Sequence, residues 1–225
     1  MISHKYKCIF IHIPKCAGTS VEQALGHIGD YKGRDEQDHR SLRMIEKPVD
    51  IQVMLSSKEN VGHYLKGVYY KYKAPGNPNN KLVVNHLQYE DYYKFSFVRN
   101  PWHRAYSAYS NVIRDSFHMK KYQVDEDITF RDFLKRFMGV GFLREQLYWL
   151  KDYRGNLPYD FIGRFENLTD DFAKVTSDLG CDNLMLPHKI KGNNVSFQTA
   201  FDDESIELIA EFYKEEIELF GYSFD

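Results

Sequence analysis

The sequence predicts a single α/β domain over residues 1–225, with a central, mostly parallel sheet of four or five strands flanked by helices. Three stretches carry that prediction. Residues 8–13, CIFIHI, are apolar except for His12 and lead through a Gly-containing turn into an apolar helical stripe. Residues 93–98, YKFSFV, read as another strand, with RNP as turn and Trp102 onward as a helix. Residues 161–165, FIGRF, form a third short strand before a helical pattern at 167–179. An apolar run such as residues 8–13 belongs to a parallel strand covered on both faces. With 225 residues, 43% of them hydrophobic, the chain can bury one substantial core.

The first strand ends at Pro14, which withholds an amide from the ladder. The chain then turns within PKCAGTS. Gly18 lets backbone approach a ligand closely, Thr19 and Ser20 can cap or donate, and Val21, Ala24 and Leu25 begin the apolar face of a helix. Free amides and the positive end of a helix dipole therefore converge where Lys15 also points, which suits phosphate or sulfate. The order differs from a Walker A loop, where Lys directly precedes the Ser or Thr. Cys16 reads as a passive member of the turn. Cys8, Cys16 and Cys181 are odd in number and lack paired metal spacing, so neither a disulfide framework nor a metal site is expected.

Residues 26–80 are polar and broken, with SLRMIEK as a short helix and Pro75, Gly76 and Pro78 marking a turn. Asp38, His39, Arg40 and Ser41 read as a solvated helix cap in preference to an acceptor site. Tyr69, Tyr70 and Tyr72 alternate with Lys71 and Lys73, which fits either a half-exposed edge strand or an acceptor cleft. Residues 82–84 read as a short strand that delivers His86 at its end. After the 93–98 strand, Pro101 suits the first position of a helix. Arg99, Arg104 and Ser107 then fall within its opening turns, where an Arg and a hydroxyl offer a second phosphate its ligands. Asn167 starts a helix closed by Gly180, and residues 203–220 form an amphipathic helix closed by Gly221.

A net charge of −2 supplies no global field to recruit nucleic acid or a membrane, so any anion is held locally. No basic-then-apolar signal segment and no run of 18 apolar residues is present, which predicts a soluble, cytoplasmic protein without a membrane span. Aromatic residues make up 16% of the chain, enough for a thick core and a ring-stacking cleft.

Together, PKxxGTS after a strand and FVRNPWHRAYSAY after another resemble the two nucleotide-binding segments of sulfotransferases that use PAPS (3′-phosphoadenosine 5′-phosphosulfate). The C-terminal stretches DFIGRFENLTDDFAKVTSDLG, LPHKIKGNNVSF and DDESIELIAEFYKEEIELFGY resemble the carbohydrate sulfotransferase branch, which includes heparan and chondroitin enzymes. The resemblance implies a three-layer P-loop-like fold and PAPS as co-substrate, with no metal. It implies that Lys15, Cys16, Ala17, Gly18, Thr19 and Ser20 hold the 5′-phosphosulfate, and that Arg99 and Ser107 hold the 3′-phosphate. A loop at 188–197 would close over the nucleotide with Lys189 and Lys191 as basic contacts. Lys15 would stabilise the leaving oxygen, and His86, upstream of the 3′-phosphate segment, would be the general base; His12, His39 and Glu90 are its rivals. The acceptor would be a hydroxyl, on a carbohydrate in preference to a phenol or amine, with residues 26–80 and 115–127 encoding its identity. Two other classes compete. A kinase is disfavoured by the displaced Lys15 and by the lack of an apolar strand ending in a magnesium-binding Asp. A non-catalytic nucleotide- or glycan-binding module would keep the cradle and dispense with His86.

Overall fold

The computed structural model describes residues 1–29, 36–46, 50–72, 76–187 and 197–224. Its elements in chain order begin with β1 (Ile2–Ser3), β2 (Cys8–Ile11), α1 (Gly18–Ala24), α2 (Leu42–Ile45), α3 (Ile51–Leu55), α4 (Lys58–Tyr72) and α5 (His86–Asp91). Then come β3 (Tyr93–Val98), α6 (Pro101–Ile113), α7 (Ser116–Tyr122), α8 (Phe130–Phe137) and α9 (Leu147–Leu150). The last are β4 (Phe161–Arg164), α10 (Leu168–Asp178), α11 (Asp203–Phe212) and α12 (Lys214–Phe220). The chain divides into two compact units, Met1–Val98 with Leu147–Lys189, and Arg99–Gln146 with Ile190–Asp225.

The first unit carries the sheet, in the order β1-β2-β3-β4. β2, β3 and β4 are parallel, and β1, which the sequence did not reveal, adds an antiparallel edge. This is the expected α/β class, a mostly parallel sheet flanked by helices. All four residues of β2 are buried, and so are the last five of β3. The register pairs Phe10 with Phe95 and Phe95 with Phe161, and the Phe10 and Phe95 rings stack with centroids 5.0 Å apart. Gly163 is needed in β4 because a Cβ there would lie 2.6 Å from the Phe97 ring. α10 packs on β4, and Gly180 (φ +66°) closes it as expected.

Two expectations about secondary structure in this unit fail. Residues 82–85 are not a strand, and His86 opens a helix instead of ending a strand. The cause is a capping box: Asn85 Oδ1 accepts from the Gln88 amide at 2.8 Å, and Gln88 Oε1 accepts from the Asn85 amide at 3.0 Å. Tyr69, Tyr70 and Tyr72 belong to the long helix α4, not to an edge strand. That helix turns its polar residues inward. Asn60 and His63 are buried, Asn60 Nδ2 donates to the Tyr153 carbonyl at 2.9 Å, and His63 Nδ1 lies 2.7 Å from Ser41 Oγ. The tyrosines are left on the outside, with Tyr72 78% exposed.

The second unit is helical. Its core gathers Trp102, Ala105, Ala108 and Val112 of α6 with Phe133 and Leu134 of α8 and with Ile209 and Tyr213. Pro101 stands at the first turn of α6, as expected, and Asn100 Oδ1 caps it by accepting from the Trp102 amide at 3.1 Å. The expected 203–220 helix is two, interrupted at Tyr213; Gly221 (φ +62°) ends the second. No helix among the described residues is long and apolar enough to cross a membrane.

Candidate active site

The PKCAGTS turn leaves the carboxyl end of β2, the edge at which parallel α/β sheets bind ligands. Its backbone is strained in two places. Lys15 (φ 72°) and Ala17 (φ 61°) are both left-handed, a conformation costing roughly 1–2 kcal/mol for a residue with a Cβ. Ala17 is the residue before α1, and no side chain caps that helix. Gly18, the first helical residue, lies directly over the His12 ring: a Cβ would stand 2.0 Å from Cδ2 and 2.3 Å from Nε2. Only glycine fits that approach. Cys16 is buried, with its Sγ 3.8 Å from the Pro14 carbonyl, in keeping with a passive role. Thr19 Oγ1 accepts from Gln37 Nε2 at 2.9 Å. Strained backbone, a helix start without a side-chain cap and Lys15 stand together at this turn.

Beneath the loop lies a charged network that the sequence reading of residues 38–41 as a solvated cap does not anticipate. Asp38 and Arg40 are buried, and Arg40 Nε and Nη2 grip the Asp38 carboxylate at 2.9 and 2.6 Å. Burial would raise the Asp38 pKa, but the Met1 ammonium, 3.6 Å away, and Arg40 hold it well below the usual carboxylate range. Glu22 of α1, also buried, accepts from His12 Nδ1 at 3.0 Å and from the Asp38 amide at 3.1 Å. Burial opposes its charge too, yet His12 and the same ammonium keep its carboxyl below its ordinary 4.5. His39 packs its ring on His12, centroids 4.3 Å apart, with Nδ1 3.4 Å from the His12 carbonyl. Burial, reinforced by His12, lowers the His39 pKa from 6.5 to about 4, so its imidazole is neutral at pH 7.

His86 stands elsewhere. Its side chain is 68% exposed, with Nδ1 3.9 Å from Glu90 Oε1. The shallow pocket it lines is shared with Ile45, Glu46, Val84, Asn85, Tyr89 and Glu90, none of them in the loop. Of the histidines weighed in the sequence, His12 and His39 are the two the structure joins to the turn. The signal for them was available: His12 is the lone polar residue of an apolar strand, and His39 sits between two charged residues that no solvated helix needs.

In the second unit, Arg99 is held by its backbone. Its amide donates to Gln146 Oε1 at 2.8 Å, and its carbonyl accepts from Gln146 Nε2 at 2.9 Å. Gln146 is fixed in turn by the buried Glu216, which accepts from Gln146 Nε2 at 3.0 Å. Ser107 lies within α6, half-buried, on the same face as His103 four residues earlier. Arg104 is not an anion ligand. It is 1% exposed, donates to the Phe142 carbonyl at 3.1 Å and to the Arg144 carbonyl, and lies over the Tyr213 ring. Lys189 and Lys191 lie outside the described residues, as do Lys73 and Pro75.

The class of protein comes from comparison with known proteins. The model of the sulfotransferase family matches residues 1–223, and the chain belongs to that family. Carbohydrate sulfotransferase 11 of Danio rerio is 24% identical over 99% of this chain and 66% of its own length. Carbohydrate sulfotransferase 14 of Homo sapiens is 21% identical over 78% of this chain and 45% of its own. An uncharacterised protein of Archaeoglobus fulgidus is 32% identical over 51% of this chain and 83% of its own length. The chain thus spans less than two thirds of the two carbohydrate sulfotransferases. No solved structure matches it.

Proposed function

We propose that this sulfotransferase moves a sulfuryl group from PAPS to a carbohydrate hydroxyl by in-line displacement. The observation that carries the reading is the turn at 14–18, where left-handed Lys15 and Ala17 lead into a helix without a side-chain cap and Gly18 is seated on the His12 ring. Membership of the family supports the reaction class, and the names of the carbohydrate sulfotransferases support the acceptor class.

PAPS supplies an activated sulfuryl group whose bridging oxygen leaves on phosphate as the acceptor oxygen bonds to sulfur. Lys15, the amides of Gly18 and Thr19 and the Ser20 hydroxyl take up the charge that develops on the leaving oxygen. Arg99 and Ser107 hold the 3′-phosphate, a role that rests on the FVRNPWHRAYS motif; the resemblance gives Lys189 and Lys191, outside the described residues, as further basic contacts. The acceptor proton passes to a histidine. His39 is the base that the geometry favours, since it packs on the His12 ring under Gly18. His86 is the second reading, on sequence spacing alone.

Calorimetric titration with adenosine 3′,5′-bisphosphate, beside ATP with magnesium, tests the donor. Tight bisphosphate binding with weak ATP binding is expected; preference for ATP, or no binding of either, would sink the proposal. For the base, His39→Ala is expected to lower carbohydrate sulfation by about 10²–10⁴-fold while sparing bisphosphate affinity. His86→Ala should stay within a few-fold of the parent. The reverse result would assign the base to His86.

A further inference from the structure

Glu22 is the buried carboxylate that joins the His12 strand end to the 36–41 segment beneath the turn. It sits one helical turn after Gly18 on α1, is fully buried, and receives one donor from the strand end, His12 Nδ1, and one from the 36–41 segment, the Asp38 amide. Its other oxygen, Oε2, is buried without a hydrogen bond among the described residues. An unsatisfied buried acceptor costs about 1–3 kcal/mol, more when charged, and such groups concentrate where function retains them. A neutral amide of the same shape would relieve the charge. Its retention as a carboxylate calls for a reason beyond packing.

The reason lies in which nitrogens of the two histidines carry protons. An ionised carboxylate only accepts, so the 3.0 Å contact requires the proton on His12 Nδ1. His12 Nε2 is then the nitrogen on the Gly18 side, 2.3 Å from the point a Cβ would occupy. His39 is set by the same logic: its Nδ1 faces the His12 carbonyl at 3.4 Å and must donate, which leaves the lone pair on Nε2. The Asp38 amide bond ties the segment that carries His39 to the same carboxylate.

We propose that Glu22 is a positioning residue, which fixes His12 with its proton on Nδ1 and anchors the segment that presents His39 with a free Nε2. The inference rests on the proposed sulfuryl transfer for its catalytic meaning, but its structural content stands apart from it. Glu22 touches no substrate. It acts through two rings, one under the anion turn and one poised to receive a proton.

Long-range 1H–15N spectra of the full chain with 15N-labelled histidine test it directly. The expected result is a proton on Nδ1 of both His12 and His39. In Glu22→Gln, whose amide can donate as well as accept, His12 should become a mixture of tautomers. Turnover should fall about 10–100-fold, as for other outer-shell orienting groups, while donor KM and bisphosphate affinity stay within about twofold, the signature of lost orientation without lost binding. Glu22→Asp, which keeps the charge, should restore the Nδ1 tautomer and part of the turnover. A wild-type His12 protonated on Nε2 would overturn the proposal whether or not the variants fold, and so would unchanged turnover in Glu22→Gln. A wild type that binds no bisphosphate would overturn the sulfotransferase reading instead, while the spectra still decide the role of Glu22.

Discussion

The two segments that the resemblance assigns to the nucleotide are built in opposite ways. The Lys15–Ser20 turn has left-handed backbone at two residues with Cβ atoms, no side-chain cap, and a buried network of Glu22, His12, Asp38 and Arg40 beneath it. The Arg99–Ser107 segment has ordinary backbone, a capping Asn100, Pro101 at the first turn and a Gln146 clamp. The first is held in shape by its surroundings, the second largely by local rules. Changes under the turn should therefore damage chemistry, and changes around Arg99 should mainly damage affinity.

The sharpest way to break that contrast is at Gly18. A Cβ there stands 2.0 Å from the His12 ring, so Gly18→Ala must displace the ring or the turn. Turnover should fall by about 10²-fold, the effect of a displacement near 1 Å, with a loss of about 1–3 kcal/mol in denaturant unfolding. Normal activity in the Gly18→Ala protein would show that the turn is not seated on His12. At the other segment, Arg99→Ala should weaken bisphosphate binding about 10–100-fold by calorimetry, the worth of a charge-assisted hydrogen bond, with a smaller effect on turnover at saturating donor. A larger effect on turnover than on affinity would mean that the two segments have exchanged roles.

Gln146→Ala probes the clamp. It leaves the buried Glu216 without the side-chain amide that donates to it and frees the Arg99 backbone, so a loss of about 1–3 kcal/mol in stability is expected. Bisphosphate affinity should fall less than in Arg99→Ala, because the guanidinium remains.

The smallest effect sharpens the contrast by pH. His39 has its pKa lowered from 6.5 to about 4, chiefly by burial. Between those values the unfolded chain binds the proton and the native one does not, so native stability falls as the pH drops through 6.5 towards 4 and levels off below. The groups facing His39 are His12, Glu22 and Asp38. Urea unfolding at a series of pH values should show a shallower slope across this window in His39→Gln. An unchanged slope would place the titration at other histidines.

Much of the fold was legible because it depends on short-range rules. The β2 run, Pro101 at a helix start, and Gly180 and Gly221 at helix ends follow from apolar continuity, a missing amide or a positive φ. The capping box at Asn85 and Gln88 was equally legible, but the apolar run LVV drew residues 82–84 toward a strand. Tyr69 to Tyr72 misled for another reason. Alternation with Lys is a strand pattern, yet Asn60 and His63 find buried partners in Tyr153 and Ser41, and those contacts make the segment a helix.

By itself, then, the sequence determined the strand–turn–helix frame, the placement of Lys15, Gly18, Arg99 and Ser107 on it, and the family to which it belongs, because each depends on neighbours a few residues away. Only the tertiary structure decided that Asp38 and Arg40 are buried, that Glu22 joins His12 to the segment carrying His39, and that His86 lies on an exposed helix start. Glu22 and Asp38 are separated by 16 residues, and Gln146 and Glu216 by 70. Contacts at such separations leave no periodicity in the chain, so the protonation and orientation of the site emerge only when the core closes around it.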